Sequence, residues 1–208
     1  MIAVITKGVL FGLLLAVMLG PVFFALIQNS IIKGFKAGIY MALGIAVADT
    51  AYIFLMYFSV KLFENNDTVS VLMGALGGLI ILVTGILSLR KKTVRLEDQK
   101  VNSRNSNFIK QFAKGFFLNG INPFVLLYWL GVMTLVTKSY QYEQNEVVVF
   151  FSAIIGTLLI TDFSKVALSH RLRAWVTPKR INIMNKIVGV ALVLFSVRLF
   201  YHAFEHYN

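Results

Sequence analysis

The chain has no cysteine among its 208 residues, which excludes disulfides, thiol chemistry, cysteine-held metals and thiol–disulfide electron transfer across a membrane. Histidine is scarce too: of the three, His202 and His206 stand near the C-terminal end with Glu205 between them. An i, i+4 histidine pair can bind zinc, but no third ligand accompanies this one, so an interface position accounts for it and no metal site is expected. Charge is also short, at 14% of residues, where a soluble domain carries about a quarter. There is no phosphate-binding loop, kinase motif or hydrolase nucleophile motif, so ATP-driven transport and most enzymology lack support. No enzyme, catalytic residue or cofactor is expected.

Apolar side chains are plentiful: 58% of the residues are hydrophobic, and the mean hydropathy is +0.76. They gather in six blocks near 8–27, 38–60, 69–89, 113–137, 147–168 and 184–204. Each is about 20 residues long, enough to span roughly 30 Å of hydrocarbon as a helix. Almost nothing remains for an extramembrane domain. The expected fold is an all-α integral membrane protein of six transmembrane helices. Lys7 before the first block gives it the look of a signal peptide, but the block is too long, carries Pro21 deep inside and lacks a small-x-small cleavage site. It reads as a mature helix.

The formal net charge of +11 points to loops and not to nucleic acid. Fourteen basic residues fall on one side, in the first, third and fifth loops, among them Lys33, Lys36, Lys91, Lys100, Arg171 and Arg173. The other side has four, Lys7, Lys61, Lys138 and Arg198, alongside acids such as Glu64, Asp67 and Glu143. By the positive-inside rule the first, third and fifth loops are cytoplasmic and both termini lie outside. The same loops suit the anionic headgroups of membrane lipids. Aromatic residues near the block ends, Tyr140, Tyr142, Tyr201 and Tyr207, fall where an interfacial belt belongs.

The most polar stretch, around residues 90–112, reads as a basic cytoplasmic connector between a first three-helix repeat, 1–89, and a second, 113–208. Gly20-Pro21 aligns with Asn122-Pro123, and Gly44, five residues before Asp49, aligns with Gly156, six before Asp162. An odd number of helices per half makes the second copy enter from the opposite side. Inverted repeats with binding at the midplane are a recurring plan of secondary transporters. Small residues at four-residue spacing, Gly8, Gly12, Ala16 and Gly20 in the first block and Gly74 with Gly78 in the third, read as helix-packing stripes.

Chemistry concentrates where polar groups interrupt the apolar blocks. Pro21 and Pro123, taken as lying within helices, leave the carbonyls one turn earlier, at Val17 and Asn119, under-satisfied. Inside a bilayer that is tolerated only beside protein or a watery cavity. Asn119 and Asn122 add hydrogen-bonding groups at the second break. Asp49 and Asp162 are carboxylates in membrane-length stretches, and such acids default to a functional reading. Asp49, with Ala42, Ala46 and Ala48 nearby, faces neighbouring helices; it suits a group that binds and releases a proton, or one that pairs with a substrate amine. Asp162 has Lys165 one turn away, at a spacing that permits an ion pair, so a self-neutralised structural pair stands beside the functional reading.

Gly20-Pro21 followed by Gly34, Gly38, Gly44 and Asp49 resembles the glycine–proline to aspartate signature of the LysE-type amino-acid exporters, with their homoserine/threonine branch. Gly115-Phe116-Phe117-Leu118-Asn119, Asn122-Pro123, Asp162 and the stretch from Arg180 to Gly189 resemble the second half of that family. The resemblance covers nearly the whole chain. It implies a multi-pass protein of the bacterial inner membrane that exports amino acids or similar small zwitterions by alternating access, driven by a proton or sodium gradient. A homodimer stays open. Gly20, Pro21, Asp49, Asn122, Pro123 and Asp162 occupy the family's motif positions; Asn119 and Lys165 join them as candidate substrate-binding or ion-coupling residues from the residue reading. The chain departs at Phe124, where a lysine often follows the asparagine–proline pair. Related families move divalent cations, so metal-cation efflux is the alternative, although it would want more than two converging acids.

Overall fold

The computed structural model describes residues 1–18, 20–63, 79, 82–83, 85–90, 107–172 and 177–205, and every regular element among them is a helix. In chain order these are α1 (Ile2–Val17), α2 (Pro21–Lys33), α3 (Phe35–Phe63), α4 (Phe108–Gly120), α5 (Pro123–Thr134) with a π-helical turn over Leu135–Tyr140, α6 (Gln144–Ala167), the single turn α7 (Ser169–Leu172) and α8 (Pro178–Glu205). Most of the third apolar block and of the connector, with Gly74 and Gly78, lie outside the described residues, as do Arg173, His206 and Tyr207.

Two of the expected spans are not continuous helices, and this corrects the sequence reading of the prolines. The chain bends by 72° between α1 and α2 and by 64° between α4 and the α5 segment. Pro21 and Pro123 therefore do not sit in helix interiors; each opens a new helix at its first position. There the missing N–H is one the helix would leave unused, and the fixed φ is already helical. Nor is the carbonyl of Asn119 left open, because it accepts the backbone N–H of Asn122 at 3.0 Å. The next carbonyl, Gly120 O, accepts the Tyr52 hydroxyl at 2.7 Å.

By length and composition Phe35–Phe58 and Gln144–Ala167 can each cross a membrane alone, and each bent pair can form one broken span, giving up to four among the described residues. The sixth block is helical as α8, with a shorter apolar run at Asn185–Leu194. Exposed Leu10, Leu14, Phe54, Phe58, Ile160 and Leu194 dress the outside in hydrocarbon, as a lipid-facing surface requires. Between α2 and α3 the chain turns at Gly34, whose φ of 89° suits glycine and few other residues.

The two most extensive helix contacts are α3 with α4 and α1 with α6. Both rest on glycines, as the small-residue stripes lead one to expect in lipid, where backbones must approach closely to gain dispersion energy. A Cβ on Gly44 would overlap the backbone carbonyl of Phe112, and one on Gly115 would overlap that of Met41. On α1 the buried stripe is Val4, Gly8, Gly12 and Ala16. A Cβ on Gly8 would lie 2.7 Å from Phe150 O, and one on Gly12 2.7 Å from Thr157 Cβ. Residue numbers rise together across both contacts, so α3 runs parallel to α4 and α1 parallel to α6. At a third glycine contact they run in opposite senses: Gly85 abuts Gly189 and Leu192, while Gly189 abuts Gly85 and Leu89. The helical segment 85–90 is thus antiparallel to α8.

Candidate functional site

The close approach of α3 and α4 sets the geometry of Asp49. Met41, Ala42, Ile45, Asp49 and Tyr52 share the buried face of α3, recurring at the three- and four-residue steps of one helical face. Asn119 follows Gly115 by one helical turn, which carries its amide to α3. Its Nδ2 donates to Ile45 O at 3.2 Å and to Asp49 Oδ1 at 2.9 Å. The indole Nε1 of Trp129, on α5, donates to the same Oδ1 at 2.8 Å. Asp49 is only 3% exposed, a location that would be prohibitive for an unpaired carboxylate. Two donors on one oxygen meet much of that demand. The other oxygen, Oδ2, accepts no hydrogen bond among the described residues.

Asp162, on α6, is neutralised from its own helix. Lys165 Nζ lies 2.8 Å from Asp162 Oδ1, one turn on, and both side chains are largely buried. The lysine also sits over the Phe23 ring, 5.6 Å from its centroid, a cation–π arrangement.

Asp49, Asp162 and Lys165 line one cavity of about 60 Å³ together with Gly20, Asn119 and Asn122. The two helix breaks and the two acids therefore meet, and six of the eight sequence candidates border the same space. Pro21 and Pro123 do not line it; they shape it by starting α2 and α5 at its edge. The rest of the wall is apolar, including Leu15, Phe23, Leu26, Ile45, Val125 and Leu158. At the second break the Asn122 side chain accepts the Phe124 N–H at 3.1 Å, and the Asn122 carbonyl accepts from Val125 and Leu126. The first turn of α5 is thereby capped from within. At the first break the N-cap is Gly20, which has no side chain to cap α2, so the positive end of that helix opens beside the cavity.

Three polar contacts escaped the sequence reading. Trp129 is one; a buried indole usually finds an acceptor for its N–H, and an intramembrane tryptophan six residues beyond a proline break was the available signal. Lys114 Nζ donates to Asn29 Oδ1 at 3.2 Å, joining α4 to α2, while Asn29 Nδ2 donates to Ala37 O at 3.1 Å. Tyr128 OH donates to Phe11 O at 2.7 Å, joining α5 to α1. All three link the first half of the chain to the second. No group of three or more potential metal-ligating side chains occurs among the described residues.

The family model for the LysE type translocator matches residues 13–203. "Putative amino acid efflux protein YcgF" of Bacillus subtilis (strain 168) is 30% identical over 200 residues, covering 95% of this chain and 93% of that protein. The uncharacterized membrane protein YahN of Escherichia coli (strain K12) is 19% identical over 183 residues, covering 88% of this chain and 82% of that protein. No solved structure matches the chain.

Proposed function

The chain belongs to the LysE type translocator family, and from that premise we propose that it exports an amino acid from the cytoplasm by alternating access around the Asp49 cavity. It is an integral, multi-pass protein of the inner membrane, and amino-acid efflux is the activity named for its relative in Bacillus subtilis. The observation that carries the proposal is Asp49 itself. A carboxylate of the first half is buried, held by Asn119 and Trp129 of the second, and among the described residues keeps one oxygen unpartnered beside a cavity.

In this reading Asp49 Oδ2 receives either the substrate ammonium or the coupling proton. Because Asn119 and Trp129 both donate to Oδ1, a proton can add at Oδ2 without breaking either hydrogen bond. Asn119 and Trp129 are positioning residues. Gly20 and Asn122 are the N-caps, and Pro21 and Pro123 the first residues, of the half-helices that open at the two breaks, and Asp162 with Lys165 completes the polar wall. The wall offers two carboxylates with neutral amides, few donors for a hard divalent cation such as calcium or magnesium, which takes six or more oxygens.

The scaffold we propose is a pair of inverted three-helix repeats, 1–89 and 113–208, with both termini outside and the connector 90–112 in the cytoplasm. Three helix pairings support it. An inverted repeat makes the first helix of each half run parallel to the second helix of the other, as α1 does with α6 and α4 with α3. It also makes the two third helices antiparallel, as segment 85–90 and α8 are, meeting glycine to glycine at Gly85 and Gly189. Efflux of preloaded amino acids from proteoliposomes, driven by an imposed proton or sodium gradient, tests the function. Gradient-dependent release above that of protein-free vesicles is expected, and release equal to theirs would refute it.

A further inference from the structure

We propose that Lys114 and Asn29 form an entry station on the cytoplasmic side of the Asp49 cavity, where the carboxylate of the departing amino acid is first bound. The inference rests on the export reading and extends it to a second site. Lys114 Nζ, on α4, donates to Asn29 Oδ1 of α2 at 3.2 Å. Asn29 is only 2% exposed, and its Nδ2 donates to Ala37 O at 3.1 Å. With the amide nitrogen spent on a carbonyl, the amide oxygen is the end that must face the ammonium. That bond uses one of the three ammonium donors of Lys114 and leaves two for a ligand.

The ligand that fits is an anion. Lys114 has no acid as an ion-pair partner among the described residues. Lys33, in the last turn of α2, adds a second positive charge close enough to act on it. Two ammonium groups beside a neutral amide attract a carboxylate or a phosphate. Lys165, the cation of the central cavity, is committed to Asp162 at 2.8 Å, so the station supplies what the cavity lacks. A lysine serving lipid headgroups extends its stem towards the membrane interface. Lys114 instead reaches across to a buried side chain of a neighbouring helix, which favours a small solute over a phospholipid.

Placement agrees with chemistry. Leu26 and Asn119 both line the central cavity. Asn29 follows Leu26 by three residues on α2, and Lys114 precedes Asn119 by five on α4, axial rises of about 4.5 and 7.5 Å. The station therefore lies about one to one and a half helical turns from the cavity wall. It stands at the end of the α2–α4 pair that carries Lys33, cytoplasmic in the proposed topology. Lys114 is itself exposed, so a solute reaches it before the cavity. A zwitterion moving outward thus meets a cation first and the free oxygen of Asp49 second.

The test uses proteoliposomes selected for insertion with the Lys114 station facing the lumen and loaded with the common amino acids at equal concentration. The one released fastest becomes the probe, together with its carboxamide, which keeps the ammonium and lacks the carboxylate. At subsaturating concentration the wild type should release the acid at least about tenfold faster than the amide, the factor that one lost charge-assisted hydrogen bond imposes. Lys114→Gln should reduce that preference by about tenfold, and Lys114→Arg, which keeps the charge, should retain most of it. The wild-type preference should be the same in vesicles of phosphatidylcholine alone and in vesicles that also contain phosphatidylglycerol. A preference seen only with phosphatidylglycerol would assign Lys114 to lipid phosphate and overturn the proposal. Amide released as fast as acid by the wild type would overturn it while leaving export intact, and that comparison needs no variant to fold. Release of no amino acid would refute the export reading and the station with it.

Discussion

Replacing Trp129 with phenylalanine removes the N–H that meets Asp49 Oδ1 at 2.8 Å and keeps most of the aromatic packing against Phe151 and Tyr128. A hydrogen bond to a charged, buried group contributes about 1.5–3 kcal/mol, and Asn119 remains to carry part of the load. The substitution also opens a small void in a side chain that is 1% exposed, so the single variant mixes packing with hydrogen bonding. A double-mutant cycle separates them. Asp49→Leu removes the acceptor at similar size, and Trp129→Phe in that background loses packing while removing an indole N–H already left without its acceptor. The coupling between the two sites should be about 1–3 kcal/mol, read from unfolding of the purified protein in detergent. Trp129→Phe that destabilises both backgrounds equally would show that the indole N–H does not hold the carboxylate and would remove the positioning role from Trp129.

Gly44→Ala should destabilise by about 1–3 kcal/mol or more, because its Cβ has nowhere to go but the Phe112 carbonyl; Gly156→Ala, with nothing within 4 Å, should stay within about 0.5 kcal/mol. Detergent unfolding of the two variants checks the contrast. Asp162→Asn strands Lys165 and should lower the amount of protein in the membrane, and adding Lys165→Met should restore it, as quantitative immunoblotting of the three strains would report. A cytoplasm-active reporter should be silent when fused at residue 208 and active when inserted in the connector near Lys100; the reverse pattern would invert the topology.

Much of the site could be read from the sequence because lipid makes polar side chains conspicuous. Asp49, Asn119, Asn122, Asp162 and Lys165 stand out in apolar stretches, and all five border one cavity. Trp129 did not stand out, since an aromatic ring in such a stretch reads as ordinary apolar surface until its N–H is counted. The prolines were visible, but their form was misread. Gly-Pro and Asn-Pro are N-cap and first-position pairs, and Asn122 does cap α5 with its own side chain. Lys114 and Asn29 were hidden by lying at the edges of the apolar blocks, where polar residues need no explanation. The pairing of α3 with α4 could not be read locally. It depends on Gly44 and Gly115, more than seventy residues apart, whose reciprocal contact appears only when the halves are folded together.

The central claim, that Asp49 is the working carboxylate of an amino-acid exporter, is tested most directly by Asp49→Asn in proteoliposomes. Asparagine keeps the shape and can still accept from Trp129 and Asn119, and a neutral amide is cheaper to bury than a charge. Folding and insertion should therefore survive while the ionisable oxygen facing the cavity is lost. Gradient-driven release of a preloaded amino acid that the wild type exports, normalised to protein in the membrane, should fall to the level of protein-free vesicles. Release at the wild-type rate would show that Asp49 is structural and that the coupling site lies elsewhere.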